Sequence, residues 1–416
     1  MSKLKALGSH IGMRLGLATL PAGHKSFIKE HLFFLLFAAI PGTFVNTFFF
    51  RQSGTVATAA IYNALACFGS ALVMHFSSFV VIKKNPAFLM RVGVMLYNLF
   101  YLALIIGREQ AAAYMPLYAI GAAVAGGFYW QGYNLMMQSA ASPEIVNHTV
   151  SLFGMGSAVI SLVIPVLTGN LISHMRGMTG YTVVFFLAFV VSLYTLNLAR
   201  RIPISHQSTA HNLKKAYRYT FSHKSWLLVM LSETFRGMRE TSFPLFLSLI
   251  FFKYVNNELL LGISTMCSGM AALLANDLTR RKIRADNRLR WVFRACLIIT
   301  AGFLLLFLNN SGGLIFGLSV FYSFMIPFVA NPSVGIMYNT LQRSRSDINF
   351  GQTMAIHELF LATGRVLGLM ILLQLSQSET LYAWGFLLLN LTGFVAVWLL
   401  HQSSRLQENR AAEPLA

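Results

Sequence analysis

Charged residues are scarce in this chain of 416 residues. Asp, Glu, Lys and Arg make up 11% of it, whereas 56% of its residues are hydrophobic. Soluble domains carry about 25% charged residues. Cysteine is scarcer still, and Cys67, Cys267 and Cys296 all fall in apolar runs, which excludes a disulfide framework. The composition therefore indicates a membrane protein.

The short motifs of common enzymes are also lacking. The chain contains no glycine-rich phosphate loop and no G-x-S-x-G serine motif. His357 and Glu358 begin an H-E-x-x-H zinc motif, but its second histidine is missing. We therefore expect neither an enzyme nor an ATP-driven pump, and we expect no metal site and no cofactor.

Acidic residues number only 13 against 32 Lys and Arg, which gives a net charge of +19. Such an excess can indicate nucleic-acid binding. The basic residues here are scattered over short loops between apolar segments, so no nucleic-acid surface is expected. We interpret the charge as a signal of membrane orientation, with attraction to anionic lipid headgroups.

Long apolar segments dominate the chain. A membrane-spanning helix needs about 20 mostly apolar residues, because lipid offers the backbone no hydrogen-bond partners. The sequence predicts twelve spans, near residues 30–50, 56–82, 90–107, 113–138, 149–173, 179–199, 225–252, 257–277, 291–309, 312–338, 351–375 and 380–401. They predict an N-terminal segment (1–29), a six-helix bundle (30–199), a basic central loop (200–224), a second six-helix bundle (225–401) and a tail (402–416).

The basic residues predict the orientation of these spans. The loops on one side of the membrane hold only Arg51, Arg108, Arg176 and Lys253. Nearly all other basic residues lie in the termini or in the loops on the same side as the termini. Loops rich in Lys and Arg stay in the cytoplasm. We therefore expect cytoplasmic termini and a monomeric, multi-pass protein of the cytoplasmic (inner) membrane, surrounded by the lipid bilayer.

The two halves of the chain resemble one another at an offset near 200. The matching stretches are CFGSALVMHF (67–76) with CSGMAALLAN (267–276), GYNLMMQ (132–138) with MYNTLQ (337–342), and IPGTFVNTFF (40–49) with FRGMRETSFP (235–244). Such repeats are typical of transporters. They predict equivalent positions for Cys67 and Cys267, and for Tyr133 and Tyr338.

The stretch SETFRGMRET places Glu233, Arg236, Arg239 and Glu240 inside an apolar segment. Glu233 and Arg236 are spaced i,i+3, and Arg236 and Glu240 are spaced i,i+4, so both pairs can form on one helix. An unpaired charge at mid-bilayer costs about 2.5–3.5 kcal/mol on insertion scales. The group is therefore either a structural salt-bridge network or a site for substrate or proton coupling.

A second charged set, His357, Glu358 and Arg365, lies in the predicted span 351–375. Glu358 and Arg365 are seven residues apart, so they share a helix face about 10 Å apart along the axis. Gly364 and Gly368 form a small-xxx-small step that lets a neighbouring helix approach closely. His357 fits either a coupling role or an interhelical hydrogen bond.

Aromatic and amide side chains cluster in GGFYWQGYN, residues 126–134. This make-up suits either helix packing or the wall of a small-molecule pocket. The candidate cavity residues are Tyr129, Trp130, Gln131, Tyr133, Asn134 and, at the matching point of the second half, Asn339.

Twelve spans in a repeat of six and six, with a basic central loop, resemble the major facilitator superfamily. The cytoplasmic signature of that superfamily, Gly…Asp-Arg-x-Gly-Arg-Arg/Lys, is partly matched by NDLTRRK. Asp277, Arg281 and Lys282 fit, whereas Arg280 replaces the glycine and Ser77 replaces the aspartate of the first-half copy. The resemblance implies that Asp277, Arg281 and Lys282 act as a conformational latch.

A closer resemblance is to the YqgE-like candidate transporters of bacteria. It rests on RGMRETSFPLFL in the predicted span 225–252 and on HELFLATGRVLGL in the span 351–375. The resemblance to that family does not imply a particular substrate. In the superfamily, the first, fourth, seventh and tenth spans line a central cavity, so the resemblance implies that the span 225–252 faces water or substrate.

These observations predict a secondary active transporter that moves a small, amphipathic solute by alternating access, as proton-coupled efflux. Glu233, Glu240 or Glu358 would take up the proton, because burial disfavours their charged form. A transporter or flippase for an anionic or lipid-linked substrate, held by Arg236, Arg239 or Arg365, is the rival. A transport-inactive sensor is a third reading, although the tail after residue 401 offers little room for a partner-binding domain.

Overall fold

The computed structural model describes residues 22–81, 85–138, 143–202, 213–308, 310–343, 350–376 and 378–412, and it folds them into helices. The α-helices are α1 (Ala22–Ala39), α2 (Phe44–Ser53), α3 (Val56–Val81), α4 (Pro86–Gly107), α5 (Met115–Gln138), α6 (Pro143–Ser173), α7 (Thr179–Arg200), α8 (Leu213–Ser222), α9 (Lys224–Glu240), α10 (Ser242–Val255), α11 (Glu258–Lys282), α12 (Arg288–Phe303), α13 (Gly312–Met325), α14 (Pro327–Arg343), α15 (Phe350–Leu375) and α16 (Glu379–Ala412). Two short 3-10 helices, Arg108–Tyr114 and Leu304–Phe307, follow α4 and α12.

Each of the twelve predicted spans is helical in the structure. Within the described residues, ten helical stretches are long and apolar enough to cross a membrane. One of them, Pro86–Met137, covers two predicted spans, whereas the segment of α9 and α10 is not among the ten. The chain is therefore a multi-pass membrane protein, and the count of twelve crossings and the side of the termini stay predictions.

Three predicted boundaries differ from the structure. The first helix begins at Ala22, before the predicted start at residue 30, and the last helix continues to Ala412 through most of the predicted tail. The predicted central loop contains α8, a short amphipathic helix that buries Leu213, Ala216 and Tyr219. Residues 1–21, 203–212 and 413–416 of the predicted terminal segments and loop lie outside the described residues.

Prolines start a new helix at three places in the bundle. Proline has no backbone N–H, and its ring collides with the carbonyl of the fourth residue before it. Pro41 separates α1 from α2, Pro244 lies in the first turn of α10, and Pro327 begins α14. The first, seventh and tenth predicted spans are consequently pairs of half-helices.

The packing between the two halves follows a pseudo-two-fold pattern. Helix α3, the second span, packs against α15, the eleventh span. In the same way α11, the eighth span, packs against α6, the fifth span, so the second span of each half contacts the fifth span of the other half. Cys67 lies on α3 and Cys267 on α11, and Tyr133 lies on α5 and Tyr338 on α14. Each pair therefore lies on helices that hold the same place in the order of their halves, as the repeat predicts.

Glycines bring α9 and α15 unusually close together. A Cβ atom on Gly364 would collide with the carbonyl oxygen of Thr234, and one on Gly368 would collide with the carbonyl oxygen of Met238. From the opposite side, a Cβ on Gly237 would meet the carbonyl oxygen of Leu361. The close approach predicted from Gly364 and Gly368 is confirmed, and it presses the charged face of α9 onto α15.

We expect Gly364→Ala to destabilise the protein, because the added methyl group forces α9 and α15 apart. Overpacking of this kind costs about 1–3 kcal/mol. Gly317→Ala is the matched control, since Gly317 is an exposed residue of α13 with open space around its Cβ position. Thermal unfolding of the purified protein in detergent should show a lower midpoint for Gly364→Ala only. Equal midpoints for the two variants would contradict the glycine contact.

Candidate functional site

A cavity of about 610 Å³ lies between the helices of the N-terminal half and α15. Its wall combines aromatic rings with amide groups and ends on two charged side chains of α15. The aromatic and amide members are Tyr62, Tyr97, Phe100, Tyr101, Trp130, Asn46, Asn63 and Asn134, and the charged members are Glu358 and Arg365. We call it the central cavity.

Few of the predicted cavity residues reach this cavity. Trp130 and Asn134 lie in its wall. Tyr129 and Gln131 are fully buried within the N-terminal half and are not part of this wall. Tyr133 stacks on the ring of His31, with ring centroids 4.4 Å apart, and Asn339 is not part of the wall. Of the six predicted cavity residues, the structure brings Trp130 and Asn134 to this wall and places the other four elsewhere, namely Tyr129, Gln131, Tyr133 and Asn339.

Charged side chains of α9 form the two pairs that their spacing allows. Arg236 Nη2 lies 2.8 Å from Glu233 Oε2, and Arg236 Nη1 lies 2.5 Å from Glu240 Oε2. The ring of His357 on α15 adds a hydrogen bond, with Nε2 3.0 Å from Glu233 Oε2. Arg236 thus holds both carboxylates of its own helix.

Arg365 of α15 extends this arrangement to the central cavity. Its Nη2 lies 2.7 Å from Glu240 Oε1, and its Nη1 donates to Glu358 Oε1. The result is one continuous chain of ionic contacts across two helices. We call these residues the ion chain: His357, Glu233, Arg236, Glu240, Arg365 and Glu358.

The ion chain is not electrically balanced. Three carboxylates face two guanidinium groups, so one negative charge is in excess when His357 is neutral. Glu233 is almost completely buried, and its Oε1 has no hydrogen-bond partner among the residues that the structure describes. One proton, on His357 or on a carboxylate, would make the whole chain neutral.

Arg239 does not join the ion chain. Its side chain is buried inside the C-terminal half, where Nη1 and Nη2 lie 3.8 and 3.9 Å from Cys296 Sγ of α12. Gly393 of α16 lies against the guanidinium group. Within the described part of the chain, no carboxylate pairs with Arg239 and its Nε lacks an acceptor. The structure therefore separates Arg239 from Glu233, Arg236 and Glu240, and a role for Arg239 in substrate binding or coupling stays a prediction.

The predicted latch residues pair along one helix. Asp277 contacts Arg280 and Arg281, each at 2.8 Å, and both arginines are largely exposed on α11. Lys282 ends the same helix. Exposed pairs of this kind contribute little to stability. A role for Asp277, Arg281 and Lys282 as a latch stays a prediction.

A different ion pair connects the two halves. Arg51 Nε of α2 lies 2.6 Å from Glu258 Oε1 at the start of α11, and the hydroxyl of Tyr181 donates to the same oxygen at 2.8 Å. The guanidinium group of Arg51 also lies over the ring of Phe252, 5.1 Å from its centroid. We call Arg51, Glu258, Tyr181 and Phe252 the interhalf seal. The sequence analysis missed it, because both charged residues lie at span ends, where solvated charges are common.

The sequence analysis also missed a buried acidic residue of α1. Glu30 and its neighbour His31 lie inside the N-terminal half, and both contact the hydroxyl of Tyr129. The predicted span began at residue 30, which placed this carboxylate at the membrane surface. The signal available in the sequence for a buried polar site was the pair of titratable residues, Glu30 and His31, at the start of an apolar run.

Comparisons with known proteins agree with this architecture. No family model matches the chain. The uncharacterized protein YqgE of Bacillus subtilis (strain 168) is 25% identical over 376 residues, which cover 90% of this chain and 85% of YqgE. An uncharacterized protein in the sodM 3' region of Geobacillus stearothermophilus is 25% identical over 153 residues, 37% of this chain and 72% of that protein.

Solved structures of transporters share the fold. A D-xylose-proton symporter superposes with a TM-score of 0.72 at 13% identity, covering 91% of this chain and 96% of its own. A bacterial homologue of the iron transporter ferroportin, in an inward-facing state, gives 0.65 at 13% identity, with 92% and 98% covered. The human organic anion transporter MFSD10 gives 0.65 at 13% identity, with 92% and 100% covered. The resemblance to the major facilitator fold and to YqgE-like proteins is confirmed, and at these identities the structures show the fold alone.

We expect Glu358 and Arg365 to be energetically coupled, because removal of Arg365 takes away the ion-pair partner of Glu358, and removal of Glu358 breaks one of the two ion pairs of Arg365. Glu358→Gln and Arg365→Gln should each destabilise the protein, and the double variant should be more stable than the sum of the two changes implies. Coupling within buried networks amounts to about 0.5–3 kcal/mol. Unfolding in mixed detergent micelles measures it.

The exposed pair Asp277 and Arg281 provides the control cycle, Asp277→Asn with Arg281→Gln. Its coupling should be small, since water screens both groups. Strictly additive effects at Glu358 and Arg365 would show that this part of the ion chain does not act as a unit.

Proposed function

We propose that this protein is a secondary active transporter of the major facilitator type, which exports a small amphipathic solute across the cytoplasmic membrane with the help of a proton gradient. One observation carries the proposal. The central cavity ends on Glu358 and Arg365, and these two residues are the last members of a partly buried chain of charges with one negative charge in excess. A solute in the cavity would therefore touch the groups whose charge a single proton changes.

The wall of the central cavity suits a small amphipathic solute. Its volume of about 610 Å³ lies within the range of about 300–1,000 Å³ usual for small-molecule sites. Rings such as Trp130 and Tyr97 offer apolar surface, and Asn63 and Asn134 offer hydrogen bonds. Aromatic surface with a few polar groups recognises molecules that have both apolar and polar parts.

The interhalf seal supports alternating access. Arg51 and Lys253 belong to the loops predicted to lie outside the cytoplasm, so the contact of Arg51 with Glu258 closes the halves on that side. On the same side, a Cβ on Gly169 of α6 would collide with the carbonyl oxygen of Glu258. In this conformation the outer ends of α6 and α11 are in contact, and release of a solute to the outside requires that contact to separate.

An anionic or lipid-linked substrate is the second candidate. Of the three arginines expected to hold such a group, Arg365 alone contributes to the wall of the central cavity. An anion there would compete with Glu358 and Glu240 for the same guanidinium group. The fold relatives include a proton symporter for D-xylose and an organic anion transporter, so both substrate classes are compatible with the architecture.

Reconstitution into proteoliposomes that contain a pH-sensitive dye tests the proposal. A library of cationic, neutral and anionic amphipathic molecules, with lipid-linked sugars as a separate arm, would be screened for solute-dependent proton flux. The export proposal expects proton flux with at least one cationic or neutral solute. Flux with anionic or lipid-linked compounds only would favour the second candidate, and transport of solute without proton flux would overturn the coupling.

We expect Glu240→Gln to reach normal membrane levels but to lose proton-coupled flux, because the change removes titration while it keeps shape and hydrogen-bonding capacity. Arg236→Gln should impair flux more than Lys253→Gln, since Lys253 is exposed at the end of α10 whereas Arg236 holds two carboxylates. Flux in proteoliposomes at several pH values measures both effects. Wild-type flux and pH dependence in Glu233→Gln/Glu240→Gln would show that the ion chain is structural.

We expect Glu258→Gln to open the outer side of the protein, because it weakens the ion pair of the interhalf seal. Cys67 lines the central cavity and serves as a native reporter. In a Cys267→Ser background, a membrane-impermeant maleimide added from outside should label Cys67 faster in Glu258→Gln than in the parent. Glu109→Gln, which changes an exposed residue of the Arg108–Tyr114 helix, should have no effect, and Cys67→Ser should abolish labelling. Equal labelling rates in the parent and Glu258→Gln would contradict the seal.

A further inference from the structure

Three polar side chains meet in the interior of the N-terminal half, away from the ion chain. Glu30 and His31 of α1 are 0% and 3% exposed, and Tyr129 of α5 is 0% exposed. The hydroxyl oxygen of Tyr129 lies 2.8 Å from His31 Nδ1 and 3.2 Å from Glu30 Oε2. Tyr129 therefore joins the carboxyl group to the imidazole ring by two hydrogen bonds.

No cation offsets a charge on Glu30 among the residues that the structure describes. None of their basic side chains forms an ion pair with Glu30, and Glu30 Oε1 has no hydrogen-bond partner there. The preceding residue, Lys29, is exposed. An ionised carboxylate at this place would lose its hydration without gaining an opposite charge, which is strongly unfavourable. The neutral acid is the form that this environment accommodates.

The helices around α1 add no charge to this cluster within the described residues. Helices α6 and α7 pack against α1 and bring Phe153 to the ring of His31 and Tyr194 to the ring of Phe33. From α5, the titratable neighbour besides Tyr129 is Tyr133, whose ring stacks on His31. Phenol groups are neutral at physiological pH, so Glu30 and His31 are the groups whose charge can change here.

We propose that Glu30, Tyr129 and His31 form a proton-binding site in the N-terminal half, in which Glu30 holds a proton and exchanges it with the central cavity through Tyr129 and His31. The site is separate from the ion chain, which lies on α9 and α15. It goes beyond the proposed function, because it gives the N-terminal half a titratable group of its own.

The hydroxyl of Tyr129 donates to Glu30 Oε2 in the structure. When Glu30 is a neutral acid, it can donate to this hydroxyl instead, and the hydroxyl can donate to Nδ1 of His31 in the tautomer that carries its proton on Nε2. From that arrangement the acid proton of Glu30 moves to the hydroxyl oxygen of Tyr129, while the hydroxyl proton of Tyr129 moves to Nδ1 of His31. Glu30 becomes a carboxylate, Tyr129 stays a neutral phenol, and His31 becomes an imidazolium cation. The reverse transfer restores the neutral acid.

The ring of His31 lies next to a residue of the central cavity wall. Trp130 lies edge-on to it, with ring centroids 5.9 Å apart, and Trp130 is part of the cavity wall. A change in the position of Trp130 on binding of a solute would expose the imidazole ring to water in the cavity. The proton on Glu30 is thereby linked to the occupancy of the cavity.

Infrared spectroscopy of the purified protein tests the proposal without any transported solute, so its outcome is independent of the proposed function. At neutral pH the difference spectrum of wild type minus Glu30→Gln should show the carbonyl band of a protonated carboxylic acid, since the substitution removes the contribution of Glu30. Glu109→Gln, an exposed control, should keep it. Tyr129→Phe should shift the band, because the acid loses its hydrogen-bond partner, and it provides the test if Glu30→Gln does not fold.

Exchange into heavy water separates a relay from a merely buried acid. In the wild type the band should move as deuterium replaces the proton, and in Tyr129→Phe and His31→Phe this exchange should be slower. Equal intensity in this spectral region for the wild type and Glu30→Gln would overturn the proton site, because any band from the carboxyl groups of the ion chain is common to both proteins. Unchanged exchange in Tyr129→Phe and His31→Phe would overturn the path through Tyr129 and His31.

Discussion

A charged side chain in an apolar helix is stabilised when an opposite charge meets it, and the contact of α9 with α15 provides such partners for Glu233, Arg236 and Glu240. Glycine at positions 237, 364 and 368 lets the two backbones approach closely. At that distance Arg236 and Arg365 can each bridge two carboxylates, so that no member of the ion chain is left alone in lipid-like surroundings. The packing and the electrostatics depend on each other, because wider spacing would leave Glu240 without Arg365.

The ion chain lies wholly within the C-terminal half of the protein. If the two halves move against each other as proposed, none of its contacts has to cross the interface between them. Among the described residues, Glu258 makes contacts that do cross it, with Arg51 and with Tyr181. The residues with the excess charge and the residues that hold the halves together therefore lie in different places in the fold. The wall of the central cavity comes mainly from the N-terminal half, whereas its charged end belongs to α15.

The sequence predicted the helical, membrane-spanning fold and its repeat, because hydrophobic length and order suffice for these. It also predicted the pairs on α9, since i,i+3 and i,i+4 spacing fixes which side chains of one helix meet. It did not predict that Arg365 holds Glu240 or that His357 holds Glu233, because these contacts depend on the register of two helices. Arg239 turns about 60° away from its neighbours around α9, which is enough to direct it into the C-terminal half. Glu30 was missed because the helix begins at Ala22, about two turns earlier than its apolar run.

The break between α9 and α10 has a mechanical consequence. Helix α9 is fixed to α15 by glycine contacts, while α10 packs against α2 and α3 of the other half and carries Phe252 to Arg51. A single residue, Thr241, separates the two helices. Just before it, the carbonyl oxygen of Arg239 accepts a hydrogen bond from the hydroxyl of Tyr322 and not from the next helical turn. The seventh segment thus consists of two helices joined next to Glu240, and a bend at this joint would move α10 together with the interhalf seal while α9 keeps the ion chain in register with α15.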